Sequence, residues 1–246
     1  MPSGTIELVV NLRDDEFRIY DRGRPGICER FPGAMVSGTY RRFFVIDTAE
    51  DTAVLGVHFK PGGALPFFGR PLCELTDTHV NLEALWGRSA RELRDRLREA
   101  NTPIHAFRLL EASLRARLSP SAVRNGAVRF ALDALGGTSP TTVREIIDRV
   151  GLSHRRFIEI FKAEVGLTPK LFHRIQRFER ILALARAQPA PDWSRLAVDS
   201  GFFDQSHLIR DFVGFSGFSP EDFARQHRAV QHRGAHLKRN HVPLAG

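Results

Sequence analysis

The chain has 246 residues, of which 42% are hydrophobic and 26% are charged. This composition is too apolar for general disorder, and the length allows one large domain or two of roughly 120 residues each. Two cysteines exclude a disulfide framework and a four-cysteine zinc site, and they suit a reducing compartment. Since the sequence has no secretion signal and no run of about 20 apolar residues, we expect a cytoplasmic protein without a membrane segment.

Residues 5–60 alternate apolar and polar positions in short runs that Gly and Pro interrupt. The runs predicted to be strands are TIELVVNL, EFRIY, GAMVSG, RRFFVID and TAVLGVHF. Several short strands at this spacing predict an antiparallel β barrel or sandwich. The segment 60–71, rich in Gly and Pro, is predicted to be a loop.

Two amphipathic helices are predicted after this loop. Ser89 and Glu92 have the spacing of a capping box, and Leu93 and Leu97 follow on one face. Thr102 precedes Pro103, a pair typical of a cap and a first helical position, and opens a helix with an apolar face formed by Phe107, Leu110, Leu114 and Leu118. We expect these helices either to cover the sheet or to pair with a second subunit.

A metal-dependent enzyme built on the barrel is one alternative function for the first half. Such an enzyme needs clustered ligands, typically two His and a carboxylate. His58, His79 and His105 are well separated, and no H-x-H, H-E-x-x-H or G-x-S-x-G string occurs. We therefore predict no catalytic residues, no metal site and no cofactor. His58 is interpreted as a core or pocket residue, and Glu7 as a strand residue that faces solvent or a pocket.

The net charge of +8 is distributed unevenly along the chain. Residues 1–120 have a net charge of +1, whereas residues 121–246 have a net charge of +7. Because Lys and Arg release condensed counterions when they contact phosphates, a basic half indicates a polyanionic partner. All but four of the 36 basic residues are Arg, which a bias in genomic base composition would also produce, so position is more informative than the total.

Two segments of the second half, 142–172 and 192–223, repeat one pattern. Each has a short amphipathic helix, a Gly, a capping residue, a second amphipathic helix and a final Gly-x-Ser/Thr-Pro. Gly151 and Gly201 are equivalent, and each can adopt the left-handed conformation that ends a helix. The predicted caps are Thr142, which forms a capping box with Glu145, and Ser153, Asp192 and Asp204. Each repeat therefore has the helix-turn-helix pattern, whose second helix enters the DNA major groove.

A connecting helix from Thr168-Pro169 to about Arg186 is predicted between the repeats. About 18 residues span about 27 Å, which could hold two recognition helices about one turn of DNA apart on the same face. Five aromatic residues of the second half are predicted to lie in its core: Phe157, Phe161, Phe178, Phe202 and Phe212.

Residues 123–230 resemble the DNA-binding domain of the AraC/XylS family of bacterial transcription regulators. The resemblance is strongest in LAVDSGFFDQSHLIRDFVGFSGFSPEDF, which matches the family signature A-x-x-x-G-F-x-D-x-S-x-x-x-R-x-F and the final G-x-S-P. The first half is similar to the barrel-like sensory domain of some members, through ELVVNL, GAMVSG, VLGVHFKPGGALPFFG and ELTDTHVNLEALWG. The sequence departs from the family at Ile147, where Ala is usual, and at Glu159, where Arg or another polar residue is frequent.

The resemblance, taken position by position, implies two sets of residues that contact DNA. Base or groove contacts are expected from Arg155, Ile158, Glu159, Gln205, Ser206, His207 and Arg210. Phosphate contacts are expected from Ser153, Arg156, Lys162, Lys170, Arg174 and Arg177. Arg suits guanine and Gln suits adenine in the major groove. No ligand-binding residue is predicted.

We therefore predict an α+β chain: a β-rich sensory or dimerisation domain with helices (1–120), a double helix-turn-helix domain (121–230) and a basic mobile tail (231–246). The predicted function is DNA-binding regulation of transcription without enzymatic activity. Double-stranded DNA, RNA polymerase, a small-molecule effector and a second subunit are the expected partners. The alternatives are a barrel enzyme fused to a DNA-binding module and, because of Ile147 and Glu159, a protein-interaction module that no longer binds DNA.

Overall fold

The N-terminal half contains two antiparallel sheets, which we describe from a computed structural model. The described residues are 1–24, 26–46, 53–119, 124–137, 141–188 and 190–232. The strands are β1 (Ile6–Asn11), β2 (Glu16–Tyr20), β3 (Cys28–Pro32), β4 (Ala34–Ser37), β5 (Val45–Ile46), β6 (Val54–Phe59) and β7 (His79–Asn81). One sheet has the order β6-β1-β4-β7 and the other β3-β2-β5. Among the described residues these are two separate open sheets, so the predicted barrel is not closed.

Each of the five predicted runs contains a strand, whereas β3 and β7 were not predicted. Both are edge strands of their sheets. The side chains of β3 are largely exposed, so the strand has no alternating apolar signal. In β1, Ile6, Leu8 and Val10 are buried and pack against the helices of this half.

The helices of this half are α1 (Leu65–Phe68), α2 (Leu82–Trp86), α3 (Arg88–Arg98) and α4 (Pro103–Arg117). The segment 60–71 is therefore not entirely a loop, since it contains α1. The predicted capping box at Ser89 is wrong: α3 begins at Arg88 after Gly87, and the hydroxyl of Ser89 donates to the carbonyl of Trp86. Thr102 caps α4 as predicted, with Pro103 in the first turn.

The predicted apolar face of α4 is only partly correct. Ala106 and Leu110 are buried, whereas the side chains of Phe107 and Leu118 are more than half exposed. Leu114 is partly buried against the core. The buried face of α4 therefore includes Ala106, and Phe107, the next residue, lies outside it.

The C-terminal half is helical, as predicted. Its helices are α5 (Gly126–Gly136), α6 (Val143–Val150), α7 (His154–Val165), α8 (Pro169–Arg186), α9 (Trp193–Asp199), α10 (Gln205–Ser216) and α11 (Pro220–His232). The five predicted core aromatics are buried in one cluster that joins α5 to α11. The tail from residue 233 onwards lies outside the described residues, and residues 231 and 232, which were assigned to that tail, belong to α11.

The local signals of both repeats are confirmed. Thr142 and Glu145 make both hydrogen bonds of a capping box on α6. Ser153, Thr168, Asp192 and Asp204 each accept a backbone N–H at the start of α7, α8, α9 and α10. Gly151 and Gly201 have φ of +67° and +75°, a conformation that a side chain would disfavour. Among the described helices, none combines the length and the hydropathy that a bilayer crossing requires.

Candidate nucleic-acid interface

The first recognition helix, α7, exposes a polar face whose charges are paired with one another. The hydroxyl of Ser153 accepts the backbone N–H of Arg156 at 3.3 Å, so it serves as the helix cap. Nε of Arg155 donates to Oε1 of Glu159 at 2.9 Å, and Nη1 of Arg156 lies 3.8 Å from Oε2 of the same carboxylate. Glu159 therefore partly neutralises the basic face that would meet DNA.

The second recognition helix, α10, presents a face without such a carboxylate. Gln205, Ser206 and Arg210 are exposed in its first two turns. Nε of Arg210 donates only weakly, at 3.4 Å, to the backbone carbonyl of Ser206. Arg210 can therefore reorient toward a base or a phosphate without breaking an ion pair.

The buried carboxylate of Asp211 attaches α10 to α8. The guanidinium of Arg174 donates to it, with Nη2 at 2.6 Å from Oδ1, and Nη2 of Arg177 lies 3.7 Å from Oδ2. Nε2 of His207 is also 3.7 Å from Oδ2. This set of four residues, the Asp211 cluster, determines the orientation of the second recognition helix relative to the connecting helix.

Arg177 also supports the turn between α9 and α10. Its Nη1 donates to the carbonyl of Gly201 at 2.8 Å, and its guanidinium lies 4.6 Å from the ring centroid of Phe202. Burial lowers the pKa of Arg177, an effect that the nearby carboxylate of Asp211 opposes. Arg174 and Arg177 were predicted to contact phosphate, and this stays a prediction: in the structure both engage Asp211, while the side chain of Arg174 remains 41% exposed.

The two repeats border a shared surface. A cavity of 810 Å³ lies between the start of α6, the first half of α8 and the first half of α10, and its lining includes Lys170, His173 and Arg210. A second cavity of 600 Å³ is bordered by α6 and by Ile158 of α7, and Lys170 lines it as well. Because Lys170 is common to both cavities, the two recognition helices flank one continuous surface.

Phe203 was missed by the sequence analysis. Its side chain is 92% exposed and lines the larger cavity next to Asp204, the cap of α10. Asp211 was missed too, although its spacing from Leu208 places it on the buried side of α10, where a carboxylate needs partners.

Both recognition helices contact the sheet domain through their C-terminal ends. The hydroxyl of Thr76 donates to the carbonyl of Gly166 after α7, at 2.5 Å. The backbone N–H of Phe43 donates to the carbonyl of Phe215 near the end of α10, at 3.1 Å. The ring of Phe43 also covers Gly217, where an added Cβ would come within 2.5 Å of it. The N-terminal halves, which hold most of the predicted base contacts, remain exposed.

The other residues named in the sequence analysis differ in exposure and in their contacts. Three cations are exposed: Arg156 and Lys162 of α7 and Lys170 of α8. Ile158 is half-buried, and so is His207, which belongs to the Asp211 cluster. Glu7 and His58 face each other across β1 and β6, with Oε1 and Nδ1 2.9 Å apart. Among the described residues, no group of three or more His, Cys, Asp or Glu side chains could hold a metal ion.

Two family models match the chain. Residues 146–226 match a family described as a helix-turn-helix domain, and residues 1–81 match one described as a domain of unknown function, DUF6597. No curated protein matches the chain.

Several crystal structures of ToxT from Vibrio cholerae are similar to the chain. An apo ToxT variant from strain SCE256 is 11% identical, with a TM-score of 0.47 over 90% of this chain and 89% of that one. ToxT from strain O395 is 9% identical, with a TM-score of 0.46 over 92% and 90% of the two chains. Wild-type ToxT with an unsaturated fatty acid bound is 8% identical, with a TM-score of 0.41 over 89% and 86%.

Proposed function

We propose that this protein, whose residues 146–226 form a helix-turn-helix domain of the AraC type, regulates transcription by binding two adjacent major-groove segments of DNA. In this proposal α7 enters one segment and α10 enters the next. Arg155, Ile158 and Glu159 meet the first segment, and Gln205, Ser206, His207 and Arg210 meet the second. Such a regulator acts where the bacterial chromosome is, in the cytoplasm.

One observation carries the proposal: both recognition helices are attached at their C-terminal ends to the sheet domain, and both have exposed N-terminal halves. The N-terminal residues of a recognition helix are the ones that reach base edges. The sheet domain therefore holds the C-terminal ends of both helices and leaves exposed the N-terminal ends, which would contact the bases. The excess positive charge of residues 121–246 adds attraction for phosphate.

The proposed phosphate contacts come from exposed cationic side chains and from backbone N–H groups at the N-terminal ends of helices. Arg156, Lys162 and Lys170 are exposed beside the recognition helices. The backbone N–H groups after Ser153 and Asp204 can also approach phosphate, since a helix N-terminus favours negative charge.

The sheet domain is proposed to modulate DNA binding, either by binding a small ligand or by dimerisation. It contacts the ends of both recognition helices, so a change in the sheet domain can alter their separation. Contact with RNA polymerase is a further part of the proposal, as for other regulators that act at promoters.

Selection of bound sequences from a random DNA pool by the full chain tests the proposal. We expect two short conserved blocks with centres about 10–10.5 base pairs apart, because the helices would enter successive turns of the same groove. Affinity for the selected DNA should fall steeply between 50 and 200 mM salt, as phosphate contacts require. A single conserved block, or binding that ignores salt, would contradict the proposal.

The variant R210A is the matched control for this selection. If Arg210 contacts a base, selection with the variant should lose preference in the second block alone. If Arg210 contacts phosphate, both blocks should persist at lower affinity.

A further inference from the structure

A wide cleft lies between the sheet β3-β2-β5 and the second helix-turn-helix unit. Its volume is 1090 Å³, and it is bordered by residues 19–22, 27–29, 40–44 and 77–79 and by α8 and α10. Aromatic rings share its wall with charged side chains, and they include Phe31, Tyr40 and Phe44. A cleft of this size with ring faces on its wall can accept a small organic molecule.

His79 lies in the wall of this cleft with unsatisfied hydrogen-bonding capacity. Its side chain is only 8% exposed, and neither ring nitrogen has a hydrogen-bond partner among the described residues. Its ring centroid is 5.1 Å from that of Phe31 and 4.9 Å from those of Tyr40 and Phe44. Burial of a polar group without a partner is costly, so a ligand that supplies the missing hydrogen bond would be stabilised by this residue.

Two of the four arginines that line the cleft are ion-paired. Arg41 pairs with Asp77, and Arg174 pairs with Asp211. Burial lowers the pKa of His79 to about 4, so its ring is neutral near pH 7. A neutral imidazole offers one N–H donor and one nitrogen acceptor, which suits a hydroxyl group better than a carboxylate.

We propose that this cleft binds a small uncharged aromatic molecule with a hydroxyl group, whose ring packs against Phe31, Tyr40 and Phe44 and whose oxygen hydrogen-bonds to His79. The proposal names a ligand class for the modulation of DNA binding suggested above, and in that respect it rests on the proposed function. Because the nitrogens of His79 are inaccessible to solvent, the ligand must displace one of the rings that cover them.

Displacement of these rings would change the contacts that support the second recognition helix. Tyr40 and Phe44 belong to the same short segment as Phe43, and Phe43 is hydrogen-bonded to Phe215 and packed on Gly217 at the end of α10. A ligand that moves segment 40–44 therefore changes the support of α10, and the occupied cleft and the DNA-bound helix are energetically coupled.

Fluorine NMR of small probes with the full chain tests the site without DNA. We expect 4-fluorophenol to bind about tenfold more tightly than 4-fluorotoluene, which has the same shape but no hydroxyl, because only the phenol satisfies His79. Equal affinities would overturn the proposal. Tighter binding of 4-fluorobenzoate than of 4-fluorophenol would overturn it as well, since the site would then select an anion.

Two variants of one residue sharpen the test. H79F should abolish the preference for phenol over toluene, and H79Q, which keeps a donor and an acceptor, should retain part of it. Retention of the full preference in H79F would contradict the proposal. If H79F does not fold, the affinities of 4-fluorophenol and 4-fluorotoluene for the unmodified chain still test the proposal.

DNA binding provides a separate measurement. Fluorescence anisotropy with the selected DNA should show at least a twofold change in affinity when 4-fluorophenol saturates the cleft. Probe binding without such a change would overturn the coupling. Failure to bind DNA at all would count against the proposed function, whereas the NMR result would still establish whether the cleft takes this ligand class.

Discussion

The two helix-turn-helix units have one sequence pattern but different electrostatics. In the first unit, the carboxylate of Glu159 lies on the exposed face and pairs with Arg155. In the second, the carboxylate of Asp211 is buried under the helix and pairs with cations of α8, while Arg210, on the exposed face, has no carboxylate partner among the described residues. A carboxylate therefore weakens the DNA-facing charge in one unit and stabilises the helix position in the other.

This difference suggests a division of labour between the units. The second unit is attached to the connecting helix by the Asp211 cluster, and its exposed Arg210 has only a weak hydrogen bond to a backbone carbonyl, so we expect this unit to contribute more of the sequence preference. The first unit must exchange an internal ion pair for a DNA contact, so its contribution should be smaller and more dependent on salt.

The largest effect is expected from D211A. Removal of a buried carboxylate leaves Arg174 and Arg177 without compensation and should lower the free energy of unfolding by about 3 kcal/mol. Urea denaturation followed by circular dichroism measures the change. The control is D199A, whose exposed carboxylate is 3.7 Å from Arg195 and should cost less than about 0.5 kcal/mol. Equal losses in the two variants would show that the Asp211 cluster does not support α10.

The next effect concerns DNA affinity. R210A should weaken binding of the selected DNA by about 1–3 kcal/mol, because within the part of the chain that the structure describes Arg210 has no ion pair to break. R155A should weaken it less, since Arg155 is already paired with Glu159. Fluorescence anisotropy of both variants compares the units directly. A greater loss for R155A than for R210A would reverse the proposed division of labour.

The helix caps should have a smaller effect, on stability. S153A and D204A each remove an acceptor for a backbone N–H at the start of a recognition helix, which costs about 1 kcal/mol in unfolding free energy. S206A, on an exposed position within α10, is the control and should change stability by less than about 0.5 kcal/mol. If S206A proves as costly as D204A, capping is not the source of the loss.

The smallest effect should come from E159Q. The substitution releases Arg155 and Arg156 for phosphate and should increase the magnitude of the salt slope of DNA binding by about 1, with a gain of about threefold in non-specific affinity. Affinities for DNA of unrelated sequence at several salt concentrations measure both quantities. Unchanged affinity and slope would mean that Glu159 already moves aside or meets a base when DNA binds.

Much of the C-terminal half could be predicted from the sequence because its signals are local. A cap such as Thr142 bonds a backbone group three residues later, and Gly151 ends a helix through its own φ angle. The predicted limits of α8, at Thr168-Pro169 and Arg186, agree with the structure for the same reason. The candidate base contacts on α7 and α10 were named from the resemblance to the AraC/XylS family, and helical spacing determines which of these residues share a face.

The predictions failed where the structure depends on tertiary packing and not on neighbouring residues in the chain. Gly87, with φ of +62°, allows α3 to begin at Arg88, so Ser89 lies inside the helix and not at its cap. Phe107 lies on α4 at an apolar spacing, but Ala106 and Leu110 face the core. The ion pairs of Arg174 and Arg177 were also not predicted, because Asp211 lies more than thirty residues away in the chain.

The amino-acid sequence by itself determined the caps, turns, helix faces and charge distribution of the two repeats, because each depends on residues within a few positions of one another. Only the tertiary structure decided which carboxylate is buried with which arginine and how both recognition helices attach to the sheet domain. It also decided that His79 lies among three aromatic rings with no hydrogen-bond partner in the described parts of the chain. The physical reason is that these contacts join residues far apart in the chain, whose meeting depends on strand register and on helix packing.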